Sequence, residues 1–321
     1  PGNDPTELAL VDLGGELREI AGAIVERFQR GRMIDNVALA RAFYREFPDR
    51  YDALVVWTDF ESDLDDAFAF ASPVSNQVEG IGDGVFDDSA VWGSSGELES
   101  FVFMGDLRRY PRDPHARVFG AASRPTTLGL LSHEIGHRWL ARARVFRTGT
   151  PTTVLLGRQS SHWSFFFDSD ASFLEGNEIV QEEERRFRTA ETVARYSRID
   201  LYLMGLAAAA EVPPFFVVTE ATASATLGDF NHESPPRVGV VITGTRTDLT
   251  MDDVELALGR RRPDFESSQK MFRHAWIFLA QRDTWPTAED VARLQEIRNA
   301  FVPFFNEMTL GRGHLEIGVI P

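Results

Sequence analysis

Leu130-Leu131-Ser132-His133-Glu134-Ile135-Gly136-His137-Arg138-Trp139-Leu140 decides how this chain is read. It contains H-E-x-x-H. On a helix, residues four apart lie on one face, so His133 and His137 can grip a single metal ion. Glu134 stands beside them, where a carboxylate can polarise a metal-bound water. Pro125-Thr126-Thr127 reads as a helix start. Leu128, Leu131, Ile135 and Trp139 recur at spacings of three and four, which makes an apolar packing stripe. His133 and His137 fall off that stripe together. The expected helix packs one face on a core and presents two imidazoles and a carboxylate on another.

The bulk composition sets the frame. With 321 residues, 43% hydrophobic and 26% charged, the chain can bury a large core and has ordinary globular character. Its net charge of −16 argues against nucleic acid as a partner, because phosphate binding needs a basic surface. There is no Cys, so disulfides and thiolate metal ligands are excluded. Any metal site must use His and carboxylates, a donor set that suits a catalytic zinc better than a structural one. The longest apolar stretch, 201–218, is broken by Glu211 and Pro213-Pro214 and is not a membrane span. The sequence begins at Pro1 without a signal-peptide pattern, which fits a mature or excised fragment.

Hydrophobic periodicity predicts a helix over 15–30 and a second from Ile34 to Glu46. Tyr51–Phe60 reads as a buried strand and Leu98–Met104 as another. Between them Ala67–Ile81 contains Pro73, which points to an edge or irregular strand. After the metal helix, the charge cluster Glu182–Arg188 reads as a solvated hairpin tip and Tyr196–Leu206 as helical. Phe215–Ala221 and Val238–Thr245 read as strands. Met251–Arg260, Ser267–Arg282 and Thr287 to Phe301, stopping before Pro303, read as helices. One domain over 1–321 with two lobes is the simplest organisation: 1–145 with the sheet and the metal helix, and a largely helical 146–321.

Leu131–Leu140 resembles the active-site helix of the zincin metallopeptidases, and the order of strands before it extends the likeness. The resemblance implies an α+β, zincin-like fold: a mixed twisted sheet, an active-site helix and a mainly helical C-terminal lobe. It implies Zn2+ held by His133 and His137, with Glu134 as general base. It also implies a peptide or protein substrate, no membrane partner, and an extracellular or bacterial cell-envelope setting. An exposed edge strand beside the active-site helix would bind extended substrate, and Ala67–Asn76 is the candidate. Positions 138–143 carry neither the Gly nor the third His of the extended metzincin motif, so the chain departs from that subclass.

A catalytic zinc takes three protein ligands and keeps one open position. His162, flanked by Ser160, Ser161, Trp163 and Ser164, comes first for the third ligand. Glu175 and Glu178 compete, at a separation seen in zincins that use a downstream Glu, and Asp168 and Asp170 are also within reach. Asp168 and Asp170 fail the calcium-loop pattern, with no Gly at the sixth position and no Glu at the twelfth. His115 is a weaker candidate, while His232, His274 and His314 lack a ligand context. Leu201–Leu206 is similar to the Met-containing turn under the zinc of some zincins, although Met204 also fits an ordinary core. Tyr202 and Tyr196 are candidates for a phenol that stabilises the oxyanion. The expected activity is peptide hydrolysis. A zincin-like binding module that no longer cleaves, and a hydrolase of non-peptide amides, are the alternatives.

Overall fold

The computed structural model describes residues 34–318 apart from 63, 65–66, 121–122, 226–227 and 281–285. The helix expected over 15–30 lies outside the described residues. The chain forms a mixed α+β fold. Its first helix, α1, covers Asn36–Glu46 and is capped by Asp35, whose carboxylate accepts the Ala38 N–H. There follow β1 (Ala53–Thr58), β2 (Phe70–Pro73), the short pair β3 (Ser75–Asn76) and β4 (Phe86–Asp87), and β5 (Ser100–Asp106). The helix that carries H-E-x-x-H is α2, Thr127–Gly136, with His137 as its C-cap. Beyond it lie the hairpin β6 (Val145–Arg147) and β7 (Thr150–Thr152), then β8 (Asn177–Glu183), β9 (Arg186–Thr192), α3 (Arg198–Leu203), β10 (Phe215–Ala225), β11 (Gly228–Phe230) and β12 (Val241–Leu249). The last elements are α4 (Met251–Leu258), β13 (Met271–Leu279), α5 (Ala288–Met308) and β14 (His314–Ile317).

Two five-stranded sheets organise these elements. The first has the order β14-β13-β1-β5-β2. Its strands are parallel except β2, which runs antiparallel to β5 along the edge. Strand alternation divides the first sheet's residues between two cores. Leu54 and Val56 of β1, Phe101 and Phe103 of β5, and Ala275 and Ile277 of β13 pack with Leu39 and Phe43 of α1. Val55, Trp57, Val102, Met104, Phe272 and Trp276 face the opposite way, into the larger core that includes Leu128, Leu131 and Ile135 of α2 and Ile297, Phe301 and Phe305 of α5. Helix α2 therefore rests on the sheet beside α5 and against β5, with edge strand β2 nearby. The edge strand expected within Ala67–Asn76 is β2. The second sheet is antiparallel, β11-β10-β12-β9-β8. Its β8–β9 hairpin carries Glu182 ion-paired to Arg186 and Arg188 at the solvated tip.

Three expectations are corrected. Ser267–Arg282 is not a helix: it contains β13, a parallel neighbour of β1. Its apolar residues run almost without a break because both faces of the strand are covered, and a run of that kind mimics helical spacing. Helix α5 does not stop before Pro303 but continues to Met308. Phe301 and Phe305 are fully buried on either side of the exposed proline, and that packing offsets the missing N–H. The segment 146–321 is not mainly helical, since the second sheet occupies much of it and β13 and β14 complete the first. No helix among the described residues is long and apolar enough to cross a membrane.

Candidate metal centre

Helix α2 begins where the sequence places it. Thr126 is the N-cap, and its hydroxyl accepts the Gly129 N–H at 3.0 Å. The helix is not half-exposed as its periodicity suggested: all ten of its residues are buried. The sheet and α5 cover one side. Phe173, Leu174 and Tyr196 cover the other, and a Cβ on Gly136 would stand 2.7 Å from Leu174 Cδ2 and 3.5 Å from Tyr196 Cε1. The Tyr196 hydroxyl donates to the Ser132 carbonyl at 2.6 Å, which ties the helix to α3 next to the first histidine. His137 caps the C-terminus with helical dihedrals, and its N–H reaches the His133 carbonyl, so the i,i+4 relation survives to the end.

His162 comes to this pair from the loop that follows a 3-10 turn over Arg158–Ser160. Ring centroids are 4.7 Å apart for His133 and His137, 5.1 Å for His133 and His162, and 5.0 Å for His137 and His162. One donor atom from each ring lies within 4.8 Å of the other two. Two backbone carbonyls set the tautomers. The His133 Nδ1–H donates to Phe173 O at 2.7 Å, and the His162 Nδ1–H donates to Arg158 O at 2.9 Å. Each ring then presents the Nε2 lone pair inward, as a carbonyl-oriented metal ligand does. His133 Nε2 and His137 Nε2 are 3.1 Å apart. A tetrahedral ion with zinc–nitrogen bonds of about 2.0–2.1 Å asks for about 3.3 Å. Burial keeps all three rings neutral, pushing His162 down to about 4 and His137 well below the usual imidazole range, with His133 also lowered. Three neutral, convergent imidazoles could hold a metal ion, and their nitrogen donors and spacing are compatible with a tetrahedral one that keeps a position open.

Glu134 is 4% exposed. Burial, reinforced by the charge of Glu175, pushes its carboxyl up to about 8. A carboxyl held there can both take and return a proton near neutrality. Glu175 is also buried, at 5%. Its two oxygens meet Arg158, Oε1 from Nη2 at 2.6 Å and Oε2 from Nε at 3.1 Å. Burial works to raise Glu175, but His162 and the Arg158 fork outweigh it and hold the carboxyl below its usual range. Arg158 Nη2 also lies 3.3 Å from His162 Nε2.

The other candidates divide. Among the described residues, the group able to hold a metal is His133, His137 and His162. Glu175 stands next to it with both oxygens engaged by Arg158. Asp168, Asp170 and Glu178 line a pocket of about 260 Å³ with Ile199, Pro213 and Phe215, and none of the three histidines lines it. The Tyr202 hydroxyl is engaged with Arg261 and Glu255: it accepts the Arg261 N–H at 3.2 Å and faces Glu255 at 3.4 Å. Tyr196 spends its hydroxyl proton on Ser132. Met204 is the buried C-cap of α3. His274 lies on β13, not on a helix, and is 2% exposed. Sequence reading missed Arg158, whose signal is its place one turn before His162. Compared with protein-family models, with curated proteins and with solved structures, the chain matches none.

Proposed function

We propose that the chain is a zinc-dependent peptidase of zincin type, with His133, His137 and His162 as ligands and Glu134 as general base. The observation that carries the reading is the convergence of three imidazoles, two of them oriented by backbone carbonyls, beside a buried carboxyl held above its usual range. Zinc bound there supplies a Lewis acid that polarises the scissile carbonyl and lowers the pKa of water. Glu134 takes the proton from the attacking water and returns it to the leaving amine. Its burial excludes competing solvent and, with the charge of Glu175, keeps its proton affinity high. Edge strand β2, paired on one side only among the described residues, offers main-chain groups for an extended peptide next to α2.

The test is Glu134→Gln, assayed for bound zinc and for cleavage of an unfolded protein. Zinc is expected to stay while turnover falls by about 10²–10⁴-fold. Unchanged turnover removes the general-base role. A wild type that holds zinc but leaves unfolded protein intact favours a binding module. Activity confined to small non-peptide amides favours the other hydrolase reading.

A further inference from the structure

We infer that the Arg158–Glu175 ion pair is a positioning clamp that fixes two of the three imidazoles relative to each other. The inference rests on the metal reading above. Helix α2 sets the backbone of His133 and His137, but His162 comes from a loop and needs its own restraint. Arg158 supplies it twice. Its carbonyl accepts the His162 Nδ1–H at 2.9 Å, and its guanidinium forks onto Glu175 at 2.6 and 3.1 Å. The Glu175 N–H then donates to Phe173 O at 2.9 Å, the same carbonyl that accepts the His133 Nδ1–H at 2.7 Å. A continuous path therefore runs from one ligand to the other: His162, Arg158, Glu175, Phe173, His133.

The backbone around the pair is held in conformations that ordinary residues avoid. Gln159 at φ +57°, Ser160 at +53° and Glu175 at +60° all sit in the left-handed region. Non-glycine residues stay there when their surroundings over-determine them. Behind Glu175 the chain has no room to relax. A Cβ on Gly176 would stand 2.0 Å from Ser169 Oγ and 2.7 Å from the Ser172 nitrogen. With the Arg158 side chain 38% exposed, solvent screens the pair, and it is a poor device for stability alone. Its bidentate geometry, however, fixes the orientation of both partners, and here Arg158 carries the carbonyl that orients His162 while Glu175 is hydrogen-bonded to the Phe173 carbonyl that orients His133. Arg158 and Glu175 are positioning residues, acting through the imidazoles they hold.

The experiment measures zinc affinity by competition with a chromophoric chelator for the wild type, Arg158→Ala, Glu175→Gln and Arg158→Ala/Glu175→Gln. Imidazole 15N spectra of the zinc-free proteins report the tautomers. Glu175→Gln keeps the side-chain shape, so it carries the test even where Arg158→Ala fails to fold. Each single variant is expected to bind zinc about 10–100-fold more weakly. The double variant should be no weaker than the worse single one, because the pair acts as a unit. His133 and His162 should lose their shared Nδ1-protonated signature in the variants, a change that general destabilisation would not produce. A wild type that binds zinc alongside variants of equal affinity, or single effects that simply add, overturns the clamp. A wild type that takes up no zinc overturns the metal reading itself, and the clamp with it.

Discussion

Acid should destabilise this protein through His274, and the size of the effect follows from where that residue sits. It lies on β13, 2% exposed, and its Nδ1 has no hydrogen-bond partner. Burial, then the charge of Arg138, lowers its pKa to about 3. A folded pKa depressed below the unfolded value of about 6.5 contributes stability that is present above about pH 6.5 and lost as pH falls toward the folded value. The full span is about 3.5 units, or about 5 kcal/mol at about 1.4 kcal/mol per unit. At about pH 5 roughly 2 kcal/mol of that has gone. His274→Leu fills similar space and removes the titration. Urea unfolding of both proteins with a chelator present, at about pH 7 and about pH 5, isolates the term, because every other titrating group is common to the two. The wild type should lose about 2 kcal/mol more than the variant between these conditions. Equal losses would refute the picture of a neutral imidazole trapped in the sheet.

Other expectations are as direct. His162→Ala should abolish stoichiometric zinc while Glu178→Ala retains it, measured by metal analysis after dialysis; the reverse result would hand the third position to the carboxylate. Gly176→Ala drives a Cβ into the Ser172 backbone, and the overpacking should cost about 1–3 kcal/mol in urea unfolding. Pro303→Ala, at an exposed position inside α5, restores a helical N–H and should raise stability by about 1–3 kcal/mol, with a raised thermal midpoint as the readout.

Much of the site was legible because its information is local. Thr126 as cap, the i,i+4 imidazoles of α2 and the isolated aromatic-flanked His162 are all visible along the chain. So is β1, whose short apolar run is bounded on both sides by polar residues. What escaped depends on distance. The strand β13 offers Phe272, Trp276 and Leu279 at helical intervals, and nothing local says that both of its faces are covered by α1 on one side and α5 on the other. The carbonyls of Phe173 and Arg158 orient two of the imidazoles, yet a main-chain oxygen leaves no mark in a reading of side chains. Arg158 and Glu175 are 17 positions apart, and only the folded loop makes them partners. The interior Pro303 misled in the opposite sense: the local rule was sound, and aromatic packing on either side of it prevailed.

The order of strands in the first sheet also bears on synthesis. Chains fold from their N-terminus as they emerge, but β13 is inserted between β1 and β14, and α5 follows it as a neighbour of α2. A nascent chain that has reached only residue 260 holds the H-E-x-x-H segment and His162, yet lacks β13 of the first sheet and α5 beside the helix. The surroundings of the candidate site are thus completed by elements made after its three histidines.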